Sequence, residues 1–207
     1  MKILVADDHA IVRKGLIGLL QEGYPSVSIF EAVNSNEAID MAHKNTFDVI
    51  LLDISMPGRN GIETLKQLRL DGIKTPVLML SMHPESQYAI RCLKAGAAGF
   101  INKESATEEL LGAIQRVLSG KKYITPTVAE KLAETMETGA APLHEALSDR
   151  EMQVLQRIAA GKTVSEIAEE IFLSVNTIST YRSRILEKLQ LGNNAELTRY
   201  AIENDLV

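Results

Sequence analysis

The chain has a single cysteine, Cys92, among its 207 residues. An internal disulfide and a thiolate metal site are therefore excluded, and the helical spacing of Cys92 with Ala89, Leu93 and Ala97 predicts a buried free thiol. No apolar run approaches the ~20 residues that span a bilayer, so no membrane segment is expected. The start Met1-Lys2-Ile3-Leu4 runs straight into a strand pattern without the composition of a cleaved leader, and a cytoplasmic protein is expected. The four histidines, His9, His43, His83 and His144, stand at no ligand-like spacing, which argues against zinc. Positive charge is also short. With 22 Lys and Arg against 27 Asp and Glu, the net charge is -5, so any nucleic-acid binding must rest on a local basic stripe. The hydrophobic share of 45% and charged share of 24% are those of an ordinary globular protein, at a length that suits two small domains.

What the first half does have is a series of short apolar runs, each ending on a polar residue. Asp7 and Asp8 follow Ile3 to Ala6, Asp53 follows Val49 to Leu52, Ser81 follows Val77 to Leu80, and Lys103 follows Phe100-Ile101-Asn102. Apolar runs alternating with amphipathic stretches read as buried parallel strands and helices. In such open sheets, ligands bind beyond the carboxyl ends of the strands. The pattern predicts five strands and five helices over residues 1–120, a doubly wound, flavodoxin-like α/β domain. Its first helix carries Ile11, Leu16 and Leu19 and stops at Gly23 and Pro25.

Residues 121–143 break the pattern with Pro126, a short amphipathic stretch through Val128 and Leu132, and then Thr138-Gly139-Ala140-Ala141-Pro142, which reads as a linker with one helix and no core stripe. From residue 144 onward, helix starts recur. Ser148 with Glu151 and Thr163 with Glu166 are capping boxes, Leu147 with Met152 can form a hydrophobic staple, Ser174 caps the stretch Val175 to Leu189, and Asn193 with Glu196 opens a fourth helix. Two short helices turning into a longer one make a helix-turn-helix arrangement in an all-α four-helix domain over 144–207.

Three carboxylates gathered at one sheet edge repel one another unless a cation neutralises them, and a hard divalent ion such as Mg²⁺ suits an all-oxygen donor set. Such a site suits phosphoryl transfer. Asp53, central and followed by the Pro57, Gly58 and Gly61 loop, is the candidate nucleophile, with Lys103 holding a phosphoryl oxygen and Ser81 donating to another.

Asp7-Asp8-His9, Leu52-Asp53-Ile54-Ser55-Met56-Pro57-Gly58, Ser81 and Gly96 to Lys103 resemble the receiver domain of two-component response regulators. The resemblance implies that Asp53 accepts a phosphoryl group from a sensor histidine kinase. It also implies Mg²⁺ ligation by Asp8, Asp53 and the Ser55 carbonyl with Asp7 assisting through water, and a switch pair formed by Ser81 and Phe100. The phosphatases of the haloacid-dehalogenase type carry a second Asp two residues after the nucleophile, where this chain has Ser55.

Leu147 to Glu151, Gly161-Lys162-Thr163 and Ser174 to Leu189 resemble the LuxR-type DNA-binding domain, so the whole chain resembles a NarL/FixJ-type response regulator. The stretch Val175 to Leu189 would be the recognition helix, with Asn176, Thr177, Ser179, Thr180, Arg182, Ser183, Arg184 and Lys188 as the DNA-binding candidates. By matching positions, Ser179, Thr180 and Ser183 face base edges while Arg182, Arg184 and Lys188 hold phosphates, although bidentate arginine is the stronger base reader. Many relatives carry Lys at the position of Ser179. From residue 144 onward, seven Lys and Arg face ten Asp and Glu, so the basic stripe of this helix stands in an acidic domain. The partners implied are a sensor kinase, double-stranded DNA and a second copy of the chain after phosphorylation, with RNA polymerase a further candidate. The competing readings are a receiver-type transcription factor that works without phosphate and a protein-binding helical module.

Overall fold

A computed structural model describes residues 1–138, 142–204 and 206–207. Gly139, Ala140 and Ala141 of the expected linker lie outside these residues. The chain divides into two compact units, 1–130 and 131–207, each described by itself below.

In the first unit, β1 (Lys2–Ala6), β2 (Ser28–Ala32), β3 (Val49–Asp53), β4 (Val77–Ser81) and β5 (Gly99–Asn102) alternate with α1 (Ala10–Gly23), α2 (Ser35–Lys44), α3 (Gly61–Leu70), α4 (Glu85–Lys94) and α5 (Ala106–Leu118). The five strands form one sheet in the order β2-β1-β3-β4-β5, and every pairing is parallel. β3 and β4 are buried along their whole length, because helices cover both faces. Ile3, Val5, Val49, Leu51, Leu78, Leu80 and Ile101 pack with Leu16 and Leu20 of α1 and with Leu110, Ala113, Ile114 and Val117 of α5. Leu4, Ile50, Leu52, Met79 and Phe100 alternate with them, point to the opposite face and are equally buried. Cys92 is buried and takes part in no disulfide. Ile11, expected in the apolar stripe of α1, is instead 88% exposed: the inward stripe runs through Leu16 and Leu20, and Ile11 lies off it at the helix start.

The segment after α5 packs more firmly than a linker without a core stripe would. Tyr123 forms a parallel bridge with Gly99, extending the edge beside β5, and its hydroxyl donates to Glu109 at 2.8 Å. The next helix, α6 (Pro126–Thr138), follows Thr125, whose hydroxyl donates to Glu85 of α4 at 2.7 Å, and it buries Val128. The division between the two units falls within α6.

The second unit holds a 3₁₀ turn at Leu143–Ala146, then α7 (Asp149–Ala159), α8 (Val164–Glu170), α9 (Val175–Leu189) and α10 (Asn194–Glu203). Ser148 and Thr163 form reciprocal capping boxes with Glu151 and Glu166, while Ser174 and Asn193 accept from the backbone three residues on. Ile167, Ile178, Ile185, Leu189 and Leu197 close one core with Leu147, Met152 and Leu155. No helix among the described residues is long and apolar enough to cross a membrane.

Gly61, the first residue of α3, is fixed by close approach: a Cβ there would lie 2.1 Å from the Asp53 carbonyl oxygen. Gly61→Ala is expected to cost about 1–3 kcal/mol, as overpacking does, measured as a lower urea midpoint for the first unit.

Candidate functional site

The sheet order places the topological switch point at β1 and β3, where Asp7 directly follows β1 and Asp53 ends β3. Asp7 and Asp53 are fully buried, whereas Asp8 keeps a partly exposed carboxylate. Lys103, after β5, reaches across the end of β4, and its Nζ lies 2.8 Å from Asp7 Oδ2 and 2.9 Å from Asp53 Oδ2. Apart from that ammonium, neither oxygen takes a hydrogen bond from the described residues. The Lys103 side chain is only 3% exposed, so these charges meet with little water between them. Carboxylate oxygens of Asp7, Asp8 and Asp53 and a ring nitrogen of His9 all lie within 4.8 Å of one another.

Backbone groups aim the acids. The His9 amide donates to Asp7 Oδ1 at 2.7 Å, and the Ser55 amide donates to Asp53 Oδ1 at 3.2 Å. Burial pushes the Asp53 carboxyl above its ordinary range; Lys103 pulls it down, Asp7 pushes it up again, and the balance stays raised. Of the three carboxylates, Asp7 and Asp53 share the Lys103 ammonium and Asp8 meets the His9 ring, and among the described residues each keeps a buried oxygen short of hydrogen bonds, a donor set that suits a hard divalent cation.

Ser81 ends β4, fully buried, and its hydroxyl accepts the His83 amide at 2.9 Å. Phe100, opposite Met79 in the β4–β5 register, is buried as well. The structure therefore brings Asp7, Asp8, Asp53 and Lys103 together, and Ser81 ends the strand that Lys103 crosses. His9 was not among the sequence candidates. Its Nδ1 lies 2.9 Å from Asp8 Oδ1, and the signal was the uninterrupted Asp7-Asp8-His9 run rather than any histidine spacing.

In the second unit α9 buries Ile178, Ile185 and Leu189 and leaves Asn176, Ser179, Thr180, Ser183 and Arg184 exposed. Thr177 belongs to the helix start, its hydroxyl 2.8 Å from that of Ser174. The hydroxyls of Thr180 and Ser183 donate to the carbonyls of Asn176 and Ser179, which leaves their oxygen lone pairs facing outward as acceptors. Arg182 donates through Nε to Asn194 at 2.6 Å, so α10 orients it.

Lys188 departs from the expectation of a phosphate anchor. Its ammonium donates to Glu151 Oε2 at 2.6 Å and to the Ala146 carbonyl at 3.2 Å, fastening α9 to the start of α7. Glu151 is 3% exposed, and without the ammonium its buried charge would stand uncompensated. Burial pushes the Glu151 carboxyl up, but hydrogen bonds from Lys188 and Ser148 outweigh it and hold the group below its ordinary range.

The chain matches the family described as "Response regulator receiver domain" over residues 3–115 and the one described as "Bacterial regulatory proteins, luxR family" over residues 145–201. The response regulator UvrY of Escherichia coli (strain K12) is 34% identical over 209 residues, spanning 100% of this chain and 95% of that protein. The response regulator GacA of Pseudomonas aeruginosa is 32% identical over 211 residues, spanning 100% of this chain and 98% of that protein. Among solved structures, RcsB from Salmonella enterica serovar Typhimurium, bound to promoter rprA in the presence of the phosphomimetic BeF₃⁻, superposes with a TM-score of 0.65 at 26% identity, covering 97% of each chain.

Two outcomes follow from the electrostatics. Because folding raises the Asp53 pKa, the folded state binds more protons than the unfolded one, and stability falls as pH rises through and above the ordinary carboxylate range. Asp53→Asn is therefore expected to raise the thermal midpoint near neutral pH in metal-free buffer and to flatten that dependence. In the second unit, Lys188→Met strands the buried Glu151 and should cost about 1–3 kcal/mol in urea unfolding. The depressed Glu151 pKa means that this contribution is present above the ordinary carboxylate range and is lost as pH falls through the lowered value.

Proposed function

Because this chain belongs to the two-component response regulators of the NarL/FixJ type, which join a receiver domain to a LuxR-type DNA-binding domain, we propose that Asp53 is its phosphoacceptor and α9 its recognition helix. The protein is a DNA-binding regulator of transcription. The observation that carries the residue assignment is the buried ammonium of Lys103 in contact with both Asp7 and Asp53, at the switch point of the sheet.

A carboxylate oxygen of Asp53 attacks phosphorus, and the bond from phosphorus to the phosphohistidine nitrogen of a sensor kinase breaks. No general base is required, since a carboxylate has no proton to lose. Lys103 is placed to leave Asp7 in part and take a phosphoryl oxygen as a compact cation. The Ser81 hydroxyl, released from the His83 amide, donates to another. Asp8, Asp53 and the Ser55 carbonyl would hold Mg²⁺, with Asp7 assisting through water; when bound, the ion neutralises charge on the transferring group. Chemistry of this kind acts on the protein itself, once per phosphorylation, and does not turn over an external substrate.

On DNA, the exposed polar face of α9 enters the major groove. Ser179, Thr180, Ser183 and Asn176 meet base edges, and Arg184 and the α10-oriented Arg182 supply the cationic contacts, while Lys188 stays with Glu151. One helix of this size covers a short site, so paired half-sites and a dimer are needed for tight binding. Phosphorylation repositions Ser81 and Phe100 and shifts the protein toward that dimer.

Incubation with Mg²⁺ and a small acyl phosphate is expected to add one phosphoryl group by intact mass, with no addition to Asp53→Ala or without Mg²⁺. Light scattering should then report a doubled mass. A phosphorylated protein that stays monomeric would sink the dimer step, and regulated DNA binding by Asp53→Ala would favour the phosphate-independent reading.

A further inference from the structure

The turn that carries Asp7 and Asp8 is pinned from several sides. The Asp7 amide donates to the Ala32 carbonyl of β2 at 3.1 Å, and the Asp7 carboxylate is held by the His9 amide and Lys103. The Asp7 carbonyl has a partner of its own: Nη1 of Arg13, one turn into α1, donates to it at 2.7 Å. The same guanidinium donates through Nε to Glu31 Oε2 of β2 at 2.9 Å, and the Arg13 side chain is only 12% exposed. In the β1–β2 register Glu31 sits opposite Val5 and Ala32 opposite Ala6, so β2 supplies both the acceptor of the Asp7 amide and the anchor of Arg13.

The carbonyl oxygen of Asp7 lies in the plane of the Asp7–Asp8 peptide. Holding that oxygen restricts rotation of the plane, and the plane is one of the constraints on the direction in which the Asp8 side chain leaves the backbone. The buried Oδ1 of Asp8 meets His9 Nδ1 at 2.9 Å and takes no hydrogen bond among the described residues, so the backbone carries much of the aim of this side chain.

We propose that Arg13 is a positioning residue that aims the Asp8 carboxylate at the cation site, acting through the Asp7 carbonyl with Glu31 as its anchor. The proposal rests on the reading that Asp8 and Asp53 hold Mg²⁺. It separates two effects of opposite sign. As a bare positive charge beside three carboxylates, Arg13 opposes cation binding, so its removal would tighten Mg²⁺. As a bracket, it preorganises a ligand, so its removal weakens Mg²⁺.

Titration calorimetry of the full-length protein with MgCl₂ decides between them, with thermal unfolding in metal-free buffer as a control on folding. Arg13→Lys keeps the charge but cannot span both acceptors as a planar fork does, and its Kd for Mg²⁺ is expected to rise about tenfold, as on loss of an outer-shell partner. Arg13→Ala should weaken binding at least as much, and Glu31→Gln, which keeps an acceptor for Nε, less than either. Wild-type affinity in Arg13→Lys, or tighter binding in Arg13→Ala, would overturn the proposal alone. Wild-type protein that binds no Mg²⁺ would overturn the cation reading and this proposal with it.

Discussion

The first unit is organised around one ammonium. Lys103 sits between Asp7 and Asp53, and without it two fully buried carboxylates would stand together uncompensated, a state that proteins avoid by protonation or by moving apart. The topology explains why a lysine does this. β5 is separated from β3 by β4, so a cation rooted after β5 needs a long stem to reach Asp53 over the end of β4. The compensation is partial, which leaves Asp53 with a raised proton affinity and the cluster short of positive charge. A resting site balanced in this way can be displaced by an incoming dianion or cation without breaking a well-satisfied network.

Much of this was legible because the signals are local. Strands buried on both faces read as continuous apolar runs, and the acids and the lysine that follow those runs are the ones gathered at the candidate site. The helix starts of the second unit were equally plain, since a cap and its partner stand three residues apart. Pairings across the sequence left no such trace. Lys188 reads as one more cation on a basic helix face until Glu151, 37 residues earlier, is seen beside it. Arg13 and Glu31, 18 residues apart, are likewise unremarkable in sequence. Tyr123 looked like linker because its partner, Gly99, lies on the edge strand, where a backbone can approach only for want of a side chain.

Helix α9 shows a related division of labour. Its unit is acidic, so electrostatic attraction to DNA is modest, and two of the three cations of α9 are engaged within the protein. With α9 as the proposed recognition helix, affinity would come from fit more than from bulk charge, since Arg182 is held by Asn194 and the Thr180 and Ser183 hydroxyls by backbone carbonyls. Preorganised side chains lose less rotamer freedom on binding, which offsets part of what the acidic surface withholds.

The recurrence of caps at Ser148, Thr163, Ser174 and Asn193 bears on how the chain comes to be folded. Each helix of the second unit is delimited by residues within a few positions of its own start, so the unit assembles from contacts of short sequence separation. The first unit must instead bring β1 beside β3 across more than forty intervening residues before its sheet gains a centre. Topologies of the former kind form quickly and those of the latter slowly. In a chain emerging from the ribosome, the slower-forming unit is thus the one synthesised first and given the longer time to fold.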